Sequence, residues 1–469
     1  MREHFTEQTA IFFSVSKWVV LSSIVGIMIG TIVTLFLKIL HLSTHSHQSL
    51  PFHFYYLLPV TLVVSVWLIR TFAPTAEGHG TEKVIEAIHK NFGKINLMVI
   101  PIKLLTTVLT IFAGGSVGKE GPAAQIGAGA ASALSDFLKF TKQDRKKLVI
   151  CGISAGFASV FGTPIAGAIF GVEVLIIGVI MYDVLLPSFI SGFAAFTTTQ
   201  FLGINYTYYD VRFYESVALD LPLIFEVVFA GIFFGIVTDL FVTINSWTHK
   251  SIKKNKLNPY VKAFLGGVAL IIIASVFGEN YLGLGLDDIK LMLNQDGNFA
   301  ANIPWYAFIV KTFTTSITLG SGGSGGIITP VFYVGAASGH LIGVFLHEHV
   351  ALFAALGFVS VLAGATNAPI AATIMAVELF GLEIAHYAAL SAVISFLITG
   401  HRSVFSSQIL AMKKSEILSM KIGQEIEKTQ VQLQDKEADQ IIKIRDKLKK
   451  KRENLKKERK ALKEKKSKK

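Results

Sequence analysis

The sequence predicts an all-α integral membrane protein built from two related halves. Hydrophobic residues make up 52% of the chain and charged residues only 16%, whereas soluble domains carry about 25% charged residues. Apolar stretches long enough to enter or cross a bilayer recur along the chain. Glycine-rich motifs are repeated at a nearly fixed spacing, which indicates an internal duplication.

The apolar stretches predict broken and re-entrant helices as well as simple spans, because several are short or interrupted by glycine and proline. Backbone that is not helical is tolerated at membrane depth only where it is buried in protein or lines a cavity. The breaks therefore indicate a transport pathway. The first stretch is too long for a signal-peptide core, so we expect a retained membrane helix there. The clearest stretches are 11–42, 54–72, 97–113, 148–161, 164–181, 184–201, 221–244, 263–277, 307–319, 331–346, 352–363 and 369–399.

Two pairs of segments carry the internal repeat. Residues 114–122 and 322–330 share five identical positions at an offset of 208, and Pro-Ile-Ala and Val-Glu recur in 164–173 and 369–378 at an offset of 205. In many transporters, related halves meet at broken helices near the bilayer midplane and form the substrate site there. The predicted units are a first membrane repeat, a second membrane repeat and a Lys/Glu-rich helical tail, at 1–205, 206–412 and 413–469.

The tail accounts for the basic charge of the chain. Residues 411–469 contain 21 Lys or Arg and 10 Asp or Glu, which is +11 of the total of +12. Its seven-residue apolar spacing lacks a second apolar seam, which favours a solvated or membrane-surface helix over a weak coiled coil or disorder. The lysines after the last span predict a cytoplasmic C-terminus, and we expect both termini on that side. The spacing joins Ile441, Leu448, Leu455 and Leu462.

The duplicated glycine motif is suited to binding an anion. Pro122 fits the first turn of a helix, and the free N–H groups of such a turn carry partial positive charge. The second copy, at 322–330, has no acidic side chain. Two converging helix N-termini would hold an anion yet release it, since they place no full positive charge in the membrane. The alternative is that the glycines only allow close helix packing.

Glu120 is the candidate gate. Ionisable groups at membrane depth are costly and usually functional. At a helix N-terminus its carboxylate would occupy the place of the anion, and loss of water favours the protonated form, which would leave. Such a group could also carry a proton. The alternative is a structural cap of its own helix.

The motifs resemble the signatures of the CLC family of chloride channels and chloride/proton antiporters. They are Gly118-Lys119-Glu120-Gly121-Pro122, Gly326-Ile327-Ile328-Thr329-Pro330 and Gly78-His79-Gly80-Thr81-Glu82. The resemblance covers residues 11–412. It implies a homodimer with one pore per subunit, inverted halves of short tilted and re-entrant helices, and Glu120 as the external gating glutamate. The implied anion-binding positions are His79, Gly80, Thr81, Gly118, Lys119, Gly121, Gly326, Ile327, Ile328, Phe405 and Ser406.

Three positions depart from the family pattern. His79 stands where the family usually has an ion-coordinating serine, and Phe405 is the best match to its central-site tyrosine, with Ser406 one residue away. Val174 falls where antiporters commonly carry an internal proton-handling glutamate. Valine there is similar to the channel branch, although some antiporters lack that glutamate. The neighbouring Glu173 recurs as Glu378, which favours a shared structural role for the pair.

The sequence therefore favours passive or weakly proton-coupled chloride transport gated by Glu120. A chloride/proton antiporter and a fluoride exporter of the same family are the alternatives within transport. An intramembrane serine hydrolase would use Ser116 or Ser324 and would need a histidine base in hydrogen-bond reach. A tail-presenting membrane anchor with a degenerate pore is the remaining alternative.

The expected partners are chloride and other small anions, protons in the antiporter case, the lipid bilayer and a second copy of the chain. We expect no enzymatic activity, cofactor, metal or nucleic acid. The expected location is a plasma or inner membrane.

Overall fold

The computed structural model describes residues 2–46, 51–206, 221–293, 303–347, 349–429 and 432–433. These residues form a bundle of helices joined by short turns. The predicted heptad positions of the tail, from Ile441 to Leu462, lie outside the described residues. The helices are α1 (Arg2–Ser46), α2 (Leu58–Phe72), α3 (Thr81–Asn91), α4 (Val99–Phe112), α5 (Glu120–Phe137), α6 (Lys142–Phe161), α7 (Pro164–Glu173), α8 (Tyr182–Phe201), α9 (Leu221–Lys254), α10 (Pro259–Phe277), α11 (Leu286–Leu293), α12 (Ala307–Gly320), α13 (Ile328–Leu346), α14 (Val350–Thr366), α15 (Pro369–Phe380) and α16 (Ala385–Ile398).

Strands are few and short in the described part of the chain. Strand β1 (Ile176–Ile177) pairs in parallel with β2 (Ile409–Leu410), and this pairing ties the segment after α16 to the end of the first half. Strand β3 (Leu418–Ser419) pairs antiparallel with β4 (Gln432–Leu433). Single 3₁₀ turns lie at Phe54–Leu57, Pro74–Ala76, Glu279–Tyr281, Leu382–Ile384 and Ile426–Lys428.

The helices confirm the predicted membrane architecture. Within the described residues, six helices are long and apolar enough to cross a bilayer, and five further apolar helices have only 10–17 residues. A bilayer core needs about 20 helical residues, so the short helices must end inside the protein. Glycine-rich faces let them pack closely; a Cβ on Gly335 of α13 would lie 2.3 Å from the Gly357 carbonyl of α14.

Two predicted apolar stretches contain helix ends that the sequence did not locate. In 164–181, α7 ends at Glu173 and β1 follows. In 369–399, Gly381 adopts a φ of +99° and separates α15 from α16. Hydropathy shows only that such segments are apolar, whereas the ends depend on what the freed backbone groups contact.

The two repeats contact each other reciprocally. The Glu173 carboxylate, at the end of α7, accepts hydrogen bonds from the N–H groups of Ile370 (3.1 Å) and Ala371 (2.8 Å) at the start of α15. Glu378 of α15 accepts the equivalent bonds from Ile165 (3.0 Å) and Ala166 (2.7 Å) at the start of α7. Such an exchange is the signature of an approximate two-fold axis. These contacts agree with the shared structural role predicted for the two glutamates; the exact division at residue 205 stays a prediction.

Removing one of these caps is expected to destabilise the fold. Each carboxylate satisfies two N–H groups of a helix start, and one hydrogen bond to a charged group contributes about 1.5–3 kcal/mol. We predict that Glu173→Ala lowers the free energy of unfolding by about 2 kcal/mol, measured by unfolding in detergent. The exposed Glu383→Ala is the matched control. An unchanged stability of Glu173→Ala would contradict the structural role.

Candidate functional site

The starts of α5 and α13 meet at the centre of the protein. The Gly118 N–H donates to the Gly326 carbonyl at 2.7 Å, and the Gly326 N–H donates to the Gly118 carbonyl at 2.6 Å. Glu120 and Ile328, the first residues of the two helices, each follow by two positions. Two positive helix ends therefore face one region, where a negative group is stabilised.

Glu120 fills this region. Its side chain is 1% exposed. One carboxylate oxygen, Oε2, accepts hydrogen bonds from the Thr329 N–H at 3.2 Å and the Thr329 hydroxyl at 2.5 Å, both on α13. The other oxygen, Oε1, is buried and has no hydrogen-bond partner among the described residues. The carboxylate thus accepts hydrogen bonds from the start of the opposite helix. A bound anion would use the same donors.

The loop that precedes α3 abuts the same junction. Gly80 has a φ of +80°, and a Cβ there would lie 2.4 Å from the Gly121 carbonyl oxygen. A Cβ on Gly121 would lie 2.2 Å from the His79 carbonyl oxygen and 3.0 Å from the Gly326 Cα. Only glycine fits at such approaches. Three of the sequence-predicted segments are therefore brought together here.

Two buried lysines, neither of them predicted from the sequence, hold the loops around the junction. The Lys103 amino group donates to the carbonyls of Ala76 (3.1 Å) and Gly78 (2.5 Å). The Lys311 amino group donates to the Gly283 carbonyl at 2.9 Å, beside those of Tyr281 and Leu282. The two lysines are 208 residues apart, the offset of the glycine motif, so the repeat contained the signal.

The rings of His79 and Phe405 lie side by side. Their ring centroids are 5.8 Å apart, Phe405 is fully buried, and the His79 Nδ1 is buried without a partner among the described residues. The Ser406 hydroxyl instead donates to Glu82 at 2.8 Å. Phe405 rather than Ser406 therefore faces the histidine loop.

Of the other predicted positions, Ile327 and Ile328 are buried at the start of α13. Lys119 is the residue immediately before α5. Thr81 is buried at the start of α3, and its hydroxyl has no partner within the described ranges. Val174 does not reach the junction contacts. It is buried just after α7, where its carbonyl accepts a hydrogen bond from the Gln408 side chain at 2.7 Å.

Glu82 is a further candidate, which the sequence shows only as the last residue of the motif at 78–82. Its Oε1 accepts hydrogen bonds from the hydroxyls of Ser406 (2.8 Å) and Ser407 (2.6 Å) and from the Ser407 N–H (3.0 Å). Its partners are more than 320 residues away in the chain. No local sequence pattern could have shown this contact.

A cavity of about 1140 Å³ opens beside Glu82 and His79, between the loop before α3, the end of α9 and residues 401–407. We call it the basic cavity, because its charged lining contains more basic than acidic side chains. At its rim Lys428 holds the pKa of Glu425 below its ordinary value. The basic residues are Arg70, Lys83, Lys90, Lys250, Lys253, Lys262 and Arg402, and the acidic ones are Glu77, Glu82, Glu86, Glu425 and Glu427.

The serines proposed for the hydrolase alternative have structural partners. The Ser116 hydroxyl lies 3.0 Å from the Thr315 hydroxyl, and the Ser324 hydroxyl lies 2.9 Å from that of Thr106. These bonds join α12 to the first glycine motif and α4 to the second, again reciprocally. In the described part of the chain, neither serine contacts a histidine base.

Two helix N-termini that meet around a buried carboxylate, with a basic cavity alongside, define a membrane transport protein for small anions. The sequence profile of the voltage gated chloride channels matches residues 60–400. The chain therefore belongs to the voltage-gated chloride channel, or CLC, family. Members of this family are channels and transporters, not enzymes.

Individual relatives cover most of the chain. It is 34% identical over 415 residues to the chloride/fluoride channel protein of Pseudomonas syringae pv. tomato, covering 87% of this chain and 90% of that protein. The fold is similar to the crystal structure of a CLC-type fluoride/proton antiporter, with a TM-score of 0.79, 28% identity and coverage of 85% and 99% of the two chains. A slow cyanobacterial Cl⁻/H⁺ antiporter matches with a TM-score of 0.71 and 21% identity over 81% and 94% of the chains, a likeness of fold alone.

Proposed function

We propose that this protein exchanges a small halide for protons across the membrane, and that Glu120 is both the gate and a proton carrier. The observation that carries the proposal is the Glu120 carboxylate, which fills the junction of the two helix starts and accepts both donors of Thr329. While it is ionised it competes with a halide for these donors. Once it is protonated it loses the charge that holds it there, and a halide can take its place.

The transport step then follows from the same groups. A halide enters the junction from one side as the neutral Glu120 side chain withdraws. Glu120 takes its proton from the side to which the halide leaves and gives it up on the side from which the halide entered. It then returns as a carboxylate, which displaces the halide. The helix-end N–H groups, that of Thr329 among them, and the implied positions at His79 and Gly80 would bind the halide by hydrogen bonds alone, so release stays fast. The N–H groups of Gly118 and Gly326 donate to each other's carbonyls and hold the two helix starts together.

Among halides we propose fluoride ahead of chloride. Fluoride is the smallest halide and the strongest hydrogen-bond acceptor, and the glycines at the junction let the surrounding backbones approach closely. Where the family usually has serine and tyrosine hydroxyls for the central ion, this chain has His79 and Phe405. The names of two relatives, a chloride/fluoride channel protein and a fluoride/proton antiporter, support the same assignment. Chloride, expected from the sequence, is the second candidate because it is the ion that names the family.

We also propose that halide transport is coupled to protons, although Val174 favours passive transport. Its support is the buried Glu120 carboxylate itself, which can take up and release a proton without help from position 174. The experiment uses proteoliposomes loaded in turn with fluoride and chloride, with the voltage clamped by valinomycin and potassium, and it records the released halide and the external pH. We expect faster fluoride than chloride efflux, with protons moving the opposite way. Halide efflux without proton movement would instead establish a passive conductor.

We further propose that the protein acts as a homodimer with one pore in each subunit, in a plasma or inner membrane, with both termini in the cytoplasm. The lysine-rich tail supports this orientation through the positive-inside tendency. The basic cavity would then face the cytoplasm, because Glu425 and Glu427 of its rim belong to the segment that leads into the tail.

A further inference from the structure

Glu82 is a second carboxylate beside the transport pathway, and its two oxygens are in different situations. Oε1 is fixed by three donors from Ser406 and Ser407. Oε2 is buried and has no hydrogen-bond partner among the residues that the structure describes. Buried acceptors normally have a hydrogen-bond partner. Because the bonds to Oε1 hold the carboxylate in place and Oε2 has no partner in the described part of the chain, Oε2 is suited to receiving a proton.

The position of Glu82 connects the basic cavity to the junction. Glu82 lines the cavity together with His79, Ser406 and Ser407. It lies in the first turn of α3, two residues after Gly80, whose Cα abuts the carbonyl of Gly121. Gly121 is adjacent to Glu120 in the chain. Glu82 therefore borders the cavity and directly follows the loop that contacts Gly121, the residue after the gate.

The charged groups around Glu82 favour such a role. Lys83 follows it on α3, where the Lys83 amino group pairs with Glu86 at 3.0 Å instead of with Glu82. Across the cavity, α9 presents His249, Lys250 and Lys253, and the segment after α16 presents Arg402. None of these groups forms an ion pair with Glu82 in the described structure, so nothing there blocks its free oxygen.

We propose that Glu82 is the inner proton-transfer residue of this protein, serving where Val174 replaces the internal glutamate. The inference rests on the proposed proton coupling. In the step, the Glu82 carboxylate takes a proton from a hydronium ion of the cavity and leaves water. The carboxylic acid then gives that proton to the Glu120 carboxylate, so Glu82 returns to its ionised form and Glu120 becomes neutral.

The test compares Glu82→Gln with wild type in proteoliposomes that report halide and proton movement together. Glutamine keeps an oxygen for the serine donors but cannot carry a proton. We expect proton flux to fall about 100-fold. Halide flux should persist without coupling, because Glu120 can still take up and return its proton on the side away from the cavity. Glu383→Gln, at an exposed carboxylate that does not line the cavity, is the matched control and should leave both fluxes unchanged. Glu82→Asp keeps a carboxyl group and should retain measurable coupling.

The outcomes separate the two proposals. If wild type moves protons and Glu82→Gln moves them in the same ratio to halide, Glu82 is not the proton-transfer residue, while the proposed function stands. If wild type transports halide without protons, both proposals fail. If Glu82→Gln loses halide flux as well, Glu82→Asp decides, because equal loss of both fluxes in that variant assigns Glu82 a structural role only.

Discussion

Replacing Glu120 by glutamine is expected to abolish proton movement and to leave passive halide flux. Glutamine has nearly the same shape, and its amide oxygen can still accept from Thr329, so the junction should keep its geometry. It carries no charge to compete with a halide and no proton to transfer. We therefore expect proton flux to fall at least about 100-fold, while halide efflux persists and no longer depends on pH.

Thr329 supplies the matched test of the gate. Thr329→Val keeps the shape of the side chain and the backbone N–H but removes the hydroxyl that donates to Glu120 at 2.5 Å. A hydrogen bond to a charged group contributes about 1.5 kcal/mol or more, so the closed state should weaken roughly tenfold. Halide flux should rise in this variant, and protons should still move. A Glu120→Gln protein that still drives protons against their gradient would remove Glu120 from the transport cycle.

The sequence predicted the two helix starts that the structure brings together, because their residues are local and duplicated, whereas the roles of the site residues stay predictions. The glycine motifs identified the two helix starts and Glu120, and the structure places those starts in contact through Gly118 and Gly326. Helix starts carry strong local signals, since glycine and proline restrict the backbone in ways that a short motif displays. The prediction of two related halves rests on the same local signal.

The residues that the sequence missed depend on long-range packing. Lys103 and Lys311 share the repeat offset, but their role depends on carbonyl partners that only the folded chain brings to them. The contacts of Glu82 with Ser406 and Ser407 join opposite ends of the membrane body. Helix ends such as the break at Gly381 likewise follow from tertiary contacts, which hydropathy does not report.

Gly121 should be the least replaceable residue of the site. An added methyl group would lie 2.2 Å from the His79 carbonyl oxygen and 3.0 Å from the Gly326 Cα, both of which are backbone atoms. Neither neighbour can rotate away, so the loop before α3 must move relative to the helix starts. Misplacing a functional group by about 1 Å can cost about 100-fold in activity, and we expect at least that loss of halide flux in Gly121→Ala.

Gly129→Ala separates this effect from a general intolerance of α5 to alanine. Gly129 lies two turns further along the same helix, and its added Cβ would first meet a movable side-chain atom of Ile100 at 3.2 Å. Alanine also favours a helix interior over glycine by roughly 0.5–1 kcal/mol. Flux and thermal stability of Gly129→Ala should therefore match or exceed wild type. Equal flux in Gly121→Ala and wild type would mean that the close contact of the three segments is not needed to bind the halide, and that the Glu120 carboxylate alone sets the pathway.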